Sequence, residues 1–269
     1  MPDAPTINSI TSGDGQLTIA YTAPTNNGGI AISKYSYQIG TGSWTDFGTS
    51  NPLTITGLTN GTSYSIKIRA YNAAGYGPAS SAASSTPLSS NANLSALTLD
   101  SGTLSPTFSS NTTSYTVKVP YTTTSISLTS TVADPGATFK LNGISGTSGT
   151  ASDPILLSAG ATVIETITVT AQNGTATKTY TISITRLTAS LSQSTVSVDS
   201  STVTADGSST TTIRVTLKDS TGTQLTTSGG TLTFASAGIG TITNVVDNGD
   251  GTYVATYTAG TSLGTATVT

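Results

Sequence analysis

With 269 residues, 35% of them hydrophobic and only 8% charged, the chain can fill two or three small cores but must cover them with Ser, Thr, Asn and Gly. The net charge of −3 and the pI near 4.6 leave no basic field for nucleic acid or an anionic membrane. The chain has neither Cys nor His, which excludes disulfides, thiolate metal sites, the Ser-His-Asp triad, a Cys nucleophile and the usual zinc site.

The opening Met1-Pro2-Asp3-Ala4-Pro5 is not a signal peptide, so the expectation is a processed chain or a piece cut from a longer protein. From there apolar residues recur with period two. Leu17-Thr-Ile19-Ala-Tyr21 and Tyr64-Ser-Ile66-Lys-Ile68-Arg-Ala70 come first, then Tyr115-Thr-Val117-Lys-Val119. Ile167-Thr-Val169-Thr-Ala171, Tyr180-Thr-Ile182-Ser-Ile184 and Ile213-Arg-Val215-Thr-Leu217 follow. Such alternation turns one face to a core and the other to water. Turn formers stand between the runs: Gly13-Asp14-Gly15, Asn27-Gly28-Gly29, Asn60-Gly61, Asp134-Pro135-Gly136, Asn173-Gly174 and Asp247-Asn248-Gly249-Asp250-Gly251. No window has a convincing helical period, and no apolar run nears the ~18 residues of a membrane span. The predicted fold is therefore all-β, three immunoglobulin-like sandwiches in tandem. Ser84 to Ala92 lacks alternation and holds Pro87, and a shorter joint follows Arg186. The predicted domains are 1–87, a linker at 88–91, 92–186 and 187–269. At ~3.3 Å per strand residue, the three would make an elongated row on the order of 100 Å, with short linkers that restrict hinging.

Three resemblances lie on these segments. Residues 3–87 resemble a fibronectin type III domain through Pro5, Leu17 to Tyr21, Pro24, Gly28-Gly29-Ile30, Tyr35-Ser-Tyr37 and Leu58 to Tyr64. The last of these is similar to a tyrosine corner, which implies a Tyr64 hydroxyl returning to nearby backbone. Residues 92–186 resemble the bacterial cadherin-like β-sandwich family, through Leu94-Ser-Ala-Leu97-Thr-Leu99, Gly102 to Phe108 and the closing runs at Ile167 and Tyr180. The segment lacks the clustered carboxylates of calcium-clamping cadherins. Residues 187–269 resemble an invasin/intimin-type Ig-like domain, through Ala205-Asp206-Gly207, Ile213 to Gly222, Asp247 to Ala255 and Gly264 to Thr269. Measured against that family, the chain is expected to stop before the final strand. The resemblances imply a segment of a bacterial surface or secreted protein.

Candidate sites are sparse. Glu165 lies within a strand run, and most Asp residues sit at turns, so no paired carboxylates for acid–base work are expected and no enzyme activity. No cofactor is expected. Asp247 and Asp250 have the close oxygen spacing of a calcium loop, but without a later Glu a hairpin turn is the simpler expectation. Trp44, with Tyr35, Tyr37 and Tyr76, has the aromatic content of a platform for sugar rings, against the alternative of packing on its own sheet. The expected role is a non-catalytic extracellular spacer or adhesive stalk. The alternatives are a filament or sheath subunit assembled by strand complementation, and a carbohydrate-binding accessory module of a secreted enzyme or phage virion protein. The partners expected are a host-cell or matrix glycan or protein, or like subunits, with no nucleic acid and no membrane insertion.

Overall fold

A computed structural model describes residues 1–268, and among them only strands, turns and bends occur, with no helix. Eight strands fill the first segment: β1 (Thr6–Gly13), β2 (Gln16–Thr22), β3 (Lys34–Ile39), β4 (Thr45–Gly48), β5 (Leu53–Thr56), β6 (Tyr64–Asn72), β7 (Gly75–Tyr76) and β8 (Ala83–Ser85). The second holds β9 (Leu94–Leu99), β10 (Ser114–Val119), β11 (Ser125–Ile126), β12 (Leu128–Val132), β13 (Thr138–Leu141), β14 (Ile144–Ser145), β15 (Ile155–Leu156), β16 (Thr162–Thr170) and β17 (Thr177–Arg186). The third holds β18 (Thr195–Val198), β19 (Thr210–Thr216), β20 (Ser236–Ala237), β21 (Thr241–Asp247), β22 (Thr252–Thr258) and β23 (Thr267–Val268).

Two compact units cut across this order. The first comprises Met1–Ser95, Thr131–Ser148 and Thr168–Thr179. In it the sheet β1-β2-β5 faces the sheet β4-β3-β6-β7, with β8 also paired to β6. Leu17, Ile19, Tyr21, Tyr35, Leu53, Ile55, Ile66, Ile68 and Ala70 meet between them. These are the inward members of the alternating runs, which is why the alternation encodes the sandwich. Asp14 and Gly15 form a two-residue turn closing Gly13 on Gln16, and Gly15 takes φ 65° as that turn requires. Asn142-Gly143 joins β13 to β14 in the same way, both residues at positive φ, with Leu141 opposite Ile144.

The second unit comprises Ala96–Ser130, Gly149–Ile167 and Tyr180–Thr269. Here β10 and β17 run parallel, from Ser114 opposite Thr181 to Val119 opposite Arg186. Their inward residues Tyr115, Val117, Val119, Tyr180, Ile182 and Ile184 are all buried. A later sheet has the order β18-β19-β22-β21, beside the short pair β20-β23. Its core forms two clusters: Ile213, Ala255, Tyr257 and Ala259, then Val215, Leu217, Leu225 and Tyr253.

Tyrosine hydroxyls tie loops to these cores. Thr59 N donates to the Tyr64 hydroxyl (2.9 Å), as the corner motif implies. Tyr115 receives Ser109 N (3.1 Å) and donates toward the Ser109 and Thr112 carbonyls. The Tyr253 hydroxyl accepts from Gly229 N (2.9 Å) and donates to Gly230 O (2.5 Å). A hydroxyl at the end of a core-packed ring gives loop backbone a hydrogen-bond partner fixed in place by the core.

Removing one inward side chain tests this core. Ile182→Ala, at a fully buried position, is expected to cost about 2–5 kcal/mol in chemical denaturation. Ile164→Ala, on the exposed side of β16, is expected to stay within about 0.5 kcal/mol of the parent.

Candidate functional site

The outer face of the sheet β4-β3-β6-β7 carries the densest group of chemically active side chains. Register builds it in rows. Ser36 lies opposite both Asp46 and Arg69, while Lys34 lies opposite Tyr71, which in turn lies opposite Tyr76. Side chains paired this way share one face, so two cations, a carboxylate and three rings gather there. Asp46 accepts from Lys34 Nζ (2.5 Å), Ser36 Oγ (2.6 Å) and the Tyr76 hydroxyl (3.2 Å). The Lys34 ammonium, then Ser36, hold its carboxyl down at about 2, and the same bond raises Lys34. Lys34 Nζ also stands 4.7 Å from the Tyr71 ring centre.

Arg69 lies over two rings at once, its guanidinium carbon 4.2 Å from the Trp44 centroid and 3.8 Å from that of Tyr76. Its Nε is buried without a hydrogen-bond partner, so the π-faces rather than an acceptor hold it. Such contacts are worth about 0.5–2 kcal/mol each. The Trp44 ring therefore already has a cation over it.

Trp44 and Tyr76 are thus brought together, but Tyr35 and Tyr37 are not part of their surface. Tyr35 is buried in the core, edge-on to Tyr21 at 4.9 Å, and Tyr37 packs against the same cluster beside Phe47. A four-ring platform is corrected to two rings sharing one arginine, with the other two on the opposite side of the sheet. Period two foretells this, since Tyr35 and Tyr37 have the parity opposite to Lys34 and Ser36. The roles of Lys34, Asp46, Arg69 and Tyr71 were not legible, because they depend on which strands become neighbours.

Asp247 and Asp250 sit in the hairpin joining β21 and β22. Asp247 accepts from Gly249 N (2.9 Å) and from the Ser228 hydroxyl. Asp250 accepts from Thr252 N (2.9 Å) and Oγ1 (2.5 Å). The Ser228 hydroxyl lowers the Asp247 pKa and the Thr252 hydroxyl that of Asp250. Both carboxylates thus close their own turn. Among the described residues no group of three or more His, Cys, Asp or Glu could hold a metal ion. Glu165 is buried on β16 in the row of Ile167 and Val169, away from any turn carboxylate in sequence.

The segments between sandwiches are held rather than loose. Within the first unit, Ser89 N donates to Gln172 Oε1 (3.1 Å), Asn173 N donates to Ser89 O (3.0 Å), and Leu88 N donates to Gly13 O (3.2 Å). Ser90 gives its N–H and hydroxyl to Asp14 (3.2 and 2.7 Å), whose carboxyl Ser90 lowers. Within the second unit, Leu187 N donates to Val119 O (3.0 Å) and Ser190 N to Lys218 O (2.7 Å), while Ala189 bridges to Asp219. Tyr121 N donates to Asp219 Oδ2 (3.1 Å). The sequence does not reveal these anchors; Gly13-Asp14-Gly15 and Asn173-Gly174 are marked there only as turns.

Family models match three consecutive stretches: the fibronectin type III domain at 3–86, the cadherin-like beta sandwich domain at 94–187, and invasin domain 3 at 190–269. Among solved structures, the sixth fibronectin type III domain of human fibronectin type III domain containing protein 3 is 25% identical (TM-score 0.29), over 32% of this chain and 87% of that one. A myokine structure is 17% identical (TM-score 0.27; 32% and 99% covered). No curated protein matches. The chain is thus a tandem of three immunoglobulin-like modules, of kinds typical of the stalks of surface adhesins and typically non-catalytic. No helix among the described residues is long and apolar enough to cross a membrane.

Two measurements address the outer-face cluster. Asp46 is expected to titrate with a midpoint near 2 by carboxyl NMR, and Lys34→Ala to raise that midpoint toward the ordinary 3.8. A depressed folded pKa means the stabilisation is present above the unfolded value and is lost as pH falls toward 2. Arg69→Ala is expected to shift the emission of Trp44, the sole tryptophan, to the red and to increase its quenching by iodide.

Proposed function

We propose that this chain is a non-catalytic spacer of a bacterial surface or secreted protein, working outside the cell as a load-bearing stalk segment. The parallel ladder of β10 and β17 carries the proposal. Thr181 N donates to Thr113 O at one end (2.8 Å) and Leu187 N to Val119 O at the other (3.0 Å). A pull applied toward the N-terminus on β10 and toward the C-terminus on β17 shears this ladder, so its bonds share the load rather than opening singly. The composition supports the same use, since the chain has none of the His or Cys on which common hydrolytic sites depend.

Stretched by its termini in an optical trap, the chain is expected to resist and then yield in discrete steps of about 30 nm, the contour of some 90 extended residues. Val117→Pro, which removes a donor from the middle of β10, is expected to lower the force of one step. Smooth extension at low load, or an unchanged step in Val117→Pro, would overturn the proposal.

One observation favours a second reading, assembly with like subunits by strand addition. Val196 and Val198 pair with Val215 and Ile213, whose side chains are buried, yet they are 61% and 43% exposed themselves. Beside Val198 runs a groove of about 450 Å³ lined in part by Val203, Ile239, Leu263 and Ala266. If strands are exchanged there, sedimentation will show oligomers that grow with concentration; a monomer at every concentration removes this reading.

A further inference from the structure

One residue of the second module belongs to the third as well. Tyr121, in the turn after β10, packs on the cluster Val215, Leu217, Leu225 and Tyr253 at the base of the third module. Its backbone N–H donates to Asp219 Oδ2, and Asp219 is fully buried. The other Asp219 oxygen accepts from Thr221 N (2.9 Å), Thr221 Oγ1 (2.5 Å) and Thr223 N (3.2 Å). At the far end of the ring, the Tyr121 hydroxyl donates to Ser228 O and accepts from Thr227 Oγ1 (both 3.1 Å). The loop so pinned is the one that Tyr253 holds from below through Gly229 and Gly230.

The second module secures Tyr121 in return. Arg186 gives Nε to Tyr121 O (2.8 Å) and a terminal nitrogen to Leu157 O (2.9 Å), with its guanidinium carbon 4.8 Å from the Tyr121 ring centre. Tyr121 therefore cannot leave the third module without exposing Leu217 and Leu225 and taking the N–H donor from Asp219 Oδ2. A buried carboxylate oxygen that loses its donor carries the desolvation cost of the unmade bond. The first joint differs, because its Asp14 and Asn60 contacts are exposed polar bonds of small net worth.

We infer that Tyr121 is a shared core residue that couples the second and third modules, so that each stabilises the other. Coupling of this kind is reciprocal, which separates it from a local defect. The test is hydrogen exchange by mass spectrometry on the full chain. Tyr121→Ala, a change in the second module, is expected to speed exchange in β19 and β22 of the third about tenfold, with β2 and β6 unaffected. Tyr121→Phe keeps the ring and loses only the hydroxyl, so a smaller increase centred on residues 227–230 is expected. In the opposite direction, Asp219→Ala is expected to speed exchange in β10 and β17. Increases confined to the substituted module, or β19 and β22 unchanged in both Tyr121 variants, would overturn the inference. Because this readout applies no force, it can fail while the spacer reading stands, and the reverse.

Discussion

Facing sheets hold together here almost wholly by burying alternate side chains, because little else is on offer. The ion pairs Lys34–Asp46 and Arg214–Asp199 lie on solvent-accessible surface, where such pairs are worth little. With no cross-link of any kind from cysteine, each sandwich must close on its apolar side chains, chiefly Ile, Val, Leu, Tyr and Ala. Small domains bury a modest share of their surface, so each added contact counts. The tyrosines answer that need twice, by filling volume in the core and by bonding a loop at the rim.

This economy extends to the joints. The compact units do not follow the boundaries at which the family models match, since the stretch 94–187 contributes to both. At the end of the second module, Leu187 still belongs to the β10 edge while Ala189 already bridges toward β19. Only Thr188 separates the two attachments. A linker spent almost wholly on hydrogen bonds has little freedom to swing.

The fold was legible because a two-residue rhythm carries its own face assignment: Leu17, Ile19 and Tyr21 are buried together, as written. Turn chemistry was legible for the same local reason at Asp14-Gly15, though Asn142-Gly143 passed unremarked beside an unassuming strand pair. What the rhythm omits is which strands become neighbours. Arg69 reaches Trp44 only because β3 separates β4 from β6, and Tyr121 meets Asp219 across 98 positions of sequence. Local pattern is silent on such meetings, and the outer-face cluster and both joints consist of them.

The turn carboxylates have a consequence for the medium in which the molecule works. Asp14, Asp199, Asp206, Asp247 and Asp250 are all kept ionised further into acid by neighbouring hydroxyl, amide or guanidinium donors. No imidazole or thiol is present to change state near neutrality. Through a swing from mild acid to mild alkali, these five carboxylates keep their charge. That share of the surface charge is deaf to such changes in its surroundings.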